Sequence, residues 1–147
     1  MIAVDTNILV YAHRRDAEWH EVASGVLRGL AEGRHAWALP WSCVHEFLAI
    51  VTHPKIFNPP SSTDQACDQV EAWLESPSVT LIGEDSGHWR QLRGLVTTAR
   101  ITGAKVHDAR VAAVCMRHGV KELWSADRDF SRFRDLRVRN PLAARAP

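Results

Sequence analysis

The chain has 147 residues, long enough for one domain with its own core. Hydrophobic residues make up 46% of it, which excludes wholesale disorder, and a net charge of +1 excludes a partner chosen by bulk charge alone. No apolar run approaches the ~20 residues that span a bilayer, and Asp5 interrupts any early apolar leader. Three well-separated cysteines, Cys43, Cys67 and Cys115, stand in apolar-periodic stretches without a CxxC pair. They read as buried free thiols, consistent with a reducing cytoplasm and no membrane attachment.

Ile2-Ala3-Val4 reads as a short buried strand, followed by a short helix over 6–14 and a stronger one from Asp16 to Glu32. Gly33 stops that helix, and Ala36-Trp37-Ala38-Leu39 forms a second strand ended by Pro40. Ser42 is positioned to cap a largely apolar helix from Cys43 to about Thr52. The three prolines of residues 54–62 make a loop, and Ser62-Thr63-Asp64-Gln65 resembles a capping box opening a helix to about Ser76. Val79-Thr80-Leu81-Ile82 is a third strand. A basic helix over 86–100 follows, broken by Gly103. Residues 106–118 form another helix, ended by Gly119, and Val120–Ser125 is a fourth strand. Leu136-Arg137-Val138 offers a short last strand.

Strands alternating with helices predict an α/β fold. The expectation is one domain over 1–147, with a mostly parallel four- to five-stranded sheet flanked by helices on both sides. Ligands in such folds bind at the carboxyl ends of the strands. Asp5 lies at the end of the first strand and Asp127 just past the fourth, so both share that edge.

Charge is unevenly placed. Residues 61–85 carry six acids and no Lys or Arg, whereas 86–121 carry seven bases against Asp108 alone. Arg128, Arg132, Arg134, Arg137, Arg139 and Arg145 extend the basic half. Fifteen of the 18 bases are Arg, whose fork suits phosphate, and Arg110, Arg128 and Arg132 are the candidates to guide a polyanion. Asp64, Asp68, Glu71 and Glu75 form one helical stripe, a solvated face opposite Cys67, Val70 and Leu74.

Four acids are oddly placed. Asp5 separates two apolar runs. Glu46 has Cys43, Ala49 and Ile50 at helical spacing. Asp108 opens a helix whose same face carries Val111, Ala112 and Cys115, and Asp127 precedes Asp129 by two residues. Burying one ionised carboxylate alone costs several kcal/mol or more. A base inside the cluster, protonation or a bound cation would offset that cost. A hard divalent ion takes oxygen ligands, activates water and stabilises charge on a phosphodiester. Each acid also has a plainer reading. Asp5 would cap the following helix, Glu46 would find an Arg partner, Asp108 would complement a helix N-terminus, and Asp127 and Asp129 would be turn residues.

Taken together these elements resemble the PIN domain family, specifically the toxins of VapBC-type toxin–antitoxin pairs. The resemblance rests on the opening Ile-Ala-Val-Asp5-Thr6-Asn7-Ile-Leu, Glu46 on an apolar helix, Asp108-Ala109 opening a later helix, and Ser125-Ala126-Asp127-Arg128-Asp129-Phe130. It implies a Mg²⁺- or Mn²⁺-dependent endoribonuclease that leaves a 5′-phosphate and a 3′-hydroxyl. Carried across, Asp5, Glu46, Asp108 and Asp127 would be the catalytic and metal-site acids, and Asp129 an outer or second-metal contributor. Asn7 and Ser125 would be polar supports; these toxins commonly carry Thr where Ser125 stands. Homodimerisation and inhibition by a small antitoxin, seated in the active-site groove, are also implied.

Two rivals stay open at this point. A haloacid-dehalogenase-like phosphatase also places an Asp after its first strand, but requires a second Asp where Asn7 stands. A PIN module that binds RNA or protein without cutting is the other. The eight His residues show no HxH or HExxH spacing and read as surface or loosely packed groups. There is no GxSxG elbow or glycine-rich phosphate loop. Six Trp residues suit a core or subunit contact; Trp41, following a strand end, is the one best placed to stack on an RNA base.

Overall fold

A computed structural model describes residues 1–143. Five strands form one sheet: β1 (Ile2–Val4), β2 (Trp37–Pro40), β3 (Val79–Ile82), β4 (Glu122–Trp124) and β5 (Arg137–Arg139). Every pairing is parallel, in the order β3-β2-β1-β4-β5. Six α-helices connect them: α1 (Thr6–His13), α2 (His20–Ala31), α3 (Trp41–Val51), α4 (Thr63–Leu74), α5 (His88–Thr98) and α6 (Val106–Arg117). The Leu136–Val138 segment becomes β5 one residue later, so the sheet has five strands.

The order reverses between β1 and β4. Right-handed crossovers from β1 to β2 and from β2 to β3 run one way along the sheet, and that from β3 to β4 runs back. This sets α1–α4 on one face and α5 and α6 on the other, in accord with the packing of α1 on α2 and α3, of α3 on α4, and of α5 on α6. The crevice lies where chains leave β1 and β4 in opposite directions. Asp5 and Ser125 follow those two strands directly.

The central strands are apolar because both faces are covered. Ala3, Val4, Trp37, Ala38, Leu39 and Leu123 are all fully buried. Trp37 keeps its indole satisfied by donating to Ser76 Oγ at 3.1 Å. Phe47 joins α3 to the helical layer, meeting Trp73 edge-on at 4.9 Å and His13 at 5.3 Å. At the sheet edge, Arg137 and Arg139 of β5 are exposed, which blunts strand-to-strand association.

Helix ends follow two rules, only one legible in the sequence. Ser62 and Gln65 complete the capping box of α4. Gly119, at φ 67°, ends α6 in a Schellman turn with Val120 N–H donating to Cys115 O at 3.0 Å. α5 ends in the same turn, Ile101 N–H to Val96 O at 2.9 Å, but the left-handed residue is Arg100, at φ 51°. Buried Ile101 supplies the anchoring apolar contact there, so α5 stops at Thr98 and Gly103 opens a 3₁₀ turn instead of breaking the helix.

Several expectations need correction. Ser42 does not cap α3; Pro40 occupies that position, and Ser42 Oγ is buried within the first turn with no partner among the described residues. Cys43 and Cys115 are buried, but Cys67 is exposed, because α4 turns Ala66, Val70 and Trp73 inward. The acidic stripe of α4 is solvated as expected. Of the six Trp, Trp37 and Trp73 are core residues, Trp124 is half-buried, and Trp19, Trp41 and Trp89 are exposed. His13 is a fixed joint, with hydrogen bonds to Ser61 and Gln69. Arg145 lies outside the described residues. Among the described residues no helix is long and apolar enough to cross a membrane.

Candidate functional site

Asp5 is the buried centre of the crevice, only 6% exposed. It is the N-cap of α1 and also more than a cap. Oδ1 accepts from Thr6 N–H at 2.8 Å and from the Cys43 thiol at 3.7 Å. Oδ2 accepts from Ser125 Oγ at 2.7 Å and Asn7 Nδ2 at 2.9 Å. Burial and the neighbouring Asp5 charge push the Cys43 thiol well above its ordinary pKa, so it remains a protonated donor. Burial also raises the Asp5 pKa from 3.8 to about 6, against the lowering effect of the Ser125 and Thr6 hydrogen bonds; Glu46 and Asp108 add repulsion. The buried carboxylate is therefore tolerated largely through donors aimed at it.

Asn7 and Ser125 tie the ends of β1 and β4 together. Asn7 Oδ1 accepts from Ala126 N–H at 3.1 Å, while Ser125 Oγ accepts from Asn7 Nδ2 at 3.1 Å and Asp127 N–H at 3.0 Å. Asp127 in turn accepts from Asp129 N–H at 2.8 Å, opening the 3₁₀ turn Arg128–Arg132. This local chain of turns aims two carboxylates back toward α6. The plain turn reading of these acids therefore holds alongside the clustered one.

Asp108, Asp127 and Asp129 each offer a carboxylate oxygen, all within 4.8 Å of one another. Like charges this close need compensation. Lys105, one turn before Asp108, contacts Asp129 and stands 3.7 Å from Asp108. Its hydrogen bond holds Asp129 below the usual carboxylate range, whereas burial raises Asp108, partly offset by Lys105. Lys105 thus supplies a base inside the cluster, one of the compensations that the sequence leaves open. Its signal was the Lys-Val-His-Asp spacing, which puts positions 105 and 108 on one helical face.

Glu46 sits differently from its prediction. It is exposed at the solvent side of α3, because Cys43, Val44 and Phe47 take the buried side. Among the described residues no Arg partners it; Thr6 Oγ1 donates to its Oε2 at 2.9 Å. Thr6, given no role in the sequence reading, thus links Asp5 to Glu46. Glu46 adds repulsion at both Asp5 and Asp108, and Asp108 adds it at Asp5. Of the three arginines expected to guide a polyanion, Arg110 is engaged by Glu84. Arg128 and Arg132 are exposed, and Arg132 lies near enough to favour the charged form of Asp129.

An all-oxygen trio with two further acids beside it matches what a hard divalent cation requires. Asp108, Asp127 and Asp129 are the residues that would hold one, and the Lys105 ammonium already supplies positive charge there.

The PIN domain family model matches residues 2–136. Ribonuclease VapC43 of Mycobacterium tuberculosis is 37% identical over 142 residues, covering 97% of this chain and 96% of that protein. Ribonuclease VapC48 of the same species is 30% identical over 139 residues, 95% of this chain and 96% of its own. In fold, the chain is similar to VapBC2 from Rickettsia felis, solved bound to a DNA fragment from their promoter. The TM-score is 0.70 at 19% identity, with coverage of 95% of this chain and 98% of that one. The phosphatase alternative finds no support: Asn7 stands where it needs an acid and serves as a donor to Asp5. From the opening strand to Leu136, this chain belongs to the PIN domain family, alongside its VapC ribonucleases.

Proposed function

We propose that the chain, acting as one domain over residues 1–147, is a VapC-type toxin, a metal-dependent endoribonuclease that hydrolyses RNA phosphodiester bonds. The observation that carries this is the trio Asp108, Asp127 and Asp129 beside buried Asp5, in a chain 37% identical to a protein named a ribonuclease. Mg²⁺, or Mn²⁺ in its place, bound by these acids would supply Lewis acidity and lower the pKa of water at neutral pH. Asp5 and Glu46 add negative charge that favours the ion. Asn7 and Ser125 fix the Asp5 carboxylate and hold the β1 and β4 ends at one spacing.

A carboxylate of this cluster would take up the proton of the attacking water. The water oxygen bonds to phosphorus as the P–O3′ bond breaks, leaving a 5′-phosphate, and the departing 3′ oxygen takes up a proton to become the 3′-hydroxyl. Arg128 and Arg132 lead the RNA backbone to the crevice. Arg110 joins them only by leaving Glu84. A cytoplasmic homodimer, held inactive by a small VapB-like antitoxin, completes the proposal; the VapBC2 assembly is the similar structure that supports a partner of this kind.

The test is incubation of the purified chain with total RNA, in Mn²⁺ or in EDTA, beside an Asp5→Asn variant. Discrete cleavage that needs both metal and Asp5 is expected. Metal-independent cleavage, or RNA binding without cleavage at saturating Mn²⁺, overturns the reading, the latter in favour of a binding module.

A further inference from the structure

Trp41 is 40% exposed at the carboxyl end of the sheet. A large ring left in water forgoes the stabilisation that burial gives it. Three features of its surroundings define its place. His45, one turn along α3 and also exposed, lies with its ring centroid 6.1 Å away and inclined by 31°. On the other side the chain leaving β3 passes at Gly83, where a methyl group would touch Trp41 Cδ1 at 3.5 Å. Behind, α3 is pinned by buried Cys43, Val44 and Phe47. The two rings lie beside each other as an aromatic shelf open to solvent.

The shelf adjoins the acid site. Ala3 of β1 pairs with Ala38 of β2, so two residues on Asp5 and Pro40 leave the sheet side by side. Trp41 is the next residue, about one strand spacing (~4.8 Å) across from β1. Within the same two turns of α3, Cys43 touches Asp5 and Glu46 touches Thr6. The aromatic rings and Asp5 therefore belong to the same edge of the sheet, on segments that leave adjacent strands. Stacking needs only a π face, so it suits an unpaired base and rejects a duplex, whose bases are already stacked.

We infer that Trp41 and His45 form a nucleobase-stacking subsite, selecting single-stranded RNA with an unpaired base beside the scissile phosphate. The inference rests on the ribonuclease reading. Its test uses Asp5→Asn protein, which binds without cutting, and the anisotropy of labelled single-stranded oligoadenylate and oligouridylate and of their duplex. Adding Trp41→Ala should weaken single-strand binding roughly tenfold. Trp41→Phe should stay close to the parent, and His45→Ala, at an exposed position, should weaken binding by less. Duplex binding should not respond to any of the three. Should Trp41→Ala fail to fold, the Phe and His45 variants carry the test. Unchanged single-strand affinity in Trp41→Ala and His45→Ala overturns the subsite while leaving RNA cleavage by the wild type intact. Unchanged RNA affinity with loss of self-association in sedimentation overturns it in favour of a protein contact. Failure of the parent to bind any RNA overturns the ribonuclease reading itself, and the subsite with it.

Discussion

Ser125 Oγ donates to Asp5 Oδ2 at 2.7 Å, joining two residues 120 positions apart in the chain. The same hydroxyl accepts from Asn7 and from the Asp127 backbone. One small side chain thus favours the charged form of Asp5 against its burial, ties two strand ends together and anchors the Asp127 turn.

Ser125→Ala removes that donor and leaves Asp5 buried with fewer partners. The Asp5 pKa should rise further above about 6, moving the acidic limb of the cleavage rate to higher pH. Stability should fall by about 1–3 kcal/mol. Ser125→Thr keeps the hydroxyl and should preserve both. A pH–rate profile and a denaturant titration on each variant measure the two effects; an unshifted limb in Ser125→Ala would refute the assignment.

The raised pKa of Asp5 makes a signed statement about stability. Its folded value, about 6, exceeds the unfolded one near 3.8, so the folded state binds more protons between them. The contribution is fully present below about pH 4 and lost as pH rises through about 6, on the order of 3 kcal/mol. In EDTA, the stability of wild type relative to Asp5→Asn should decline over that window and level off above it. A flat difference would mean that Asp5 titrates normally.

Lys105 competes with any ion held by Asp108 and Asp129. Lys105→Met should leave the metal-free protein less heat-stable, because the trio then repels without relief. It should also tighten Mn²⁺ binding by a few-fold, roughly the scale of an exposed pair. Calorimetric titration with Mn²⁺ reads the affinity directly, and weaker binding in the variant would show Lys105 to be a support.

The arginines should separate by their present partners. Arg128→Ala and Arg132→Ala should each lower the salt dependence of single-stranded RNA binding by about 0.7 in log–log slope. Arg110→Ala should change it less, since Glu84 already neutralises that side chain. Equal slopes for all three would indicate that Arg110 releases Glu84 on binding RNA.

Much of the molecule was legible from local pattern. The strand–helix alternation, the capping box at Ser62, the stop at Gly119 and the placement of Asp5 and Asp127 past strand ends all depend on near neighbours in the chain. Local chemistry does not predict Arg100 in a left-handed turn, because the anchor is the burial of Ile101 in the assembled core. Exposure of Glu46 and Cys67 was misjudged for the same reason: periodicity gives a helix an apolar face, but packing decides how wide it is.

By itself, then, the sequence determined that Asp5 and Asp127 reach the carboxyl edge of the sheet, since each comes just after a strand. Only the tertiary structure decided how their charge is accommodated. Asp5 depends on Ser125 and Cys43, the Asp trio on Lys105, and Glu46 on Thr6. Except for Lys105 and Asp108, these partners come from separate elements of the chain, and a carboxylate's partner is fixed by distance in space.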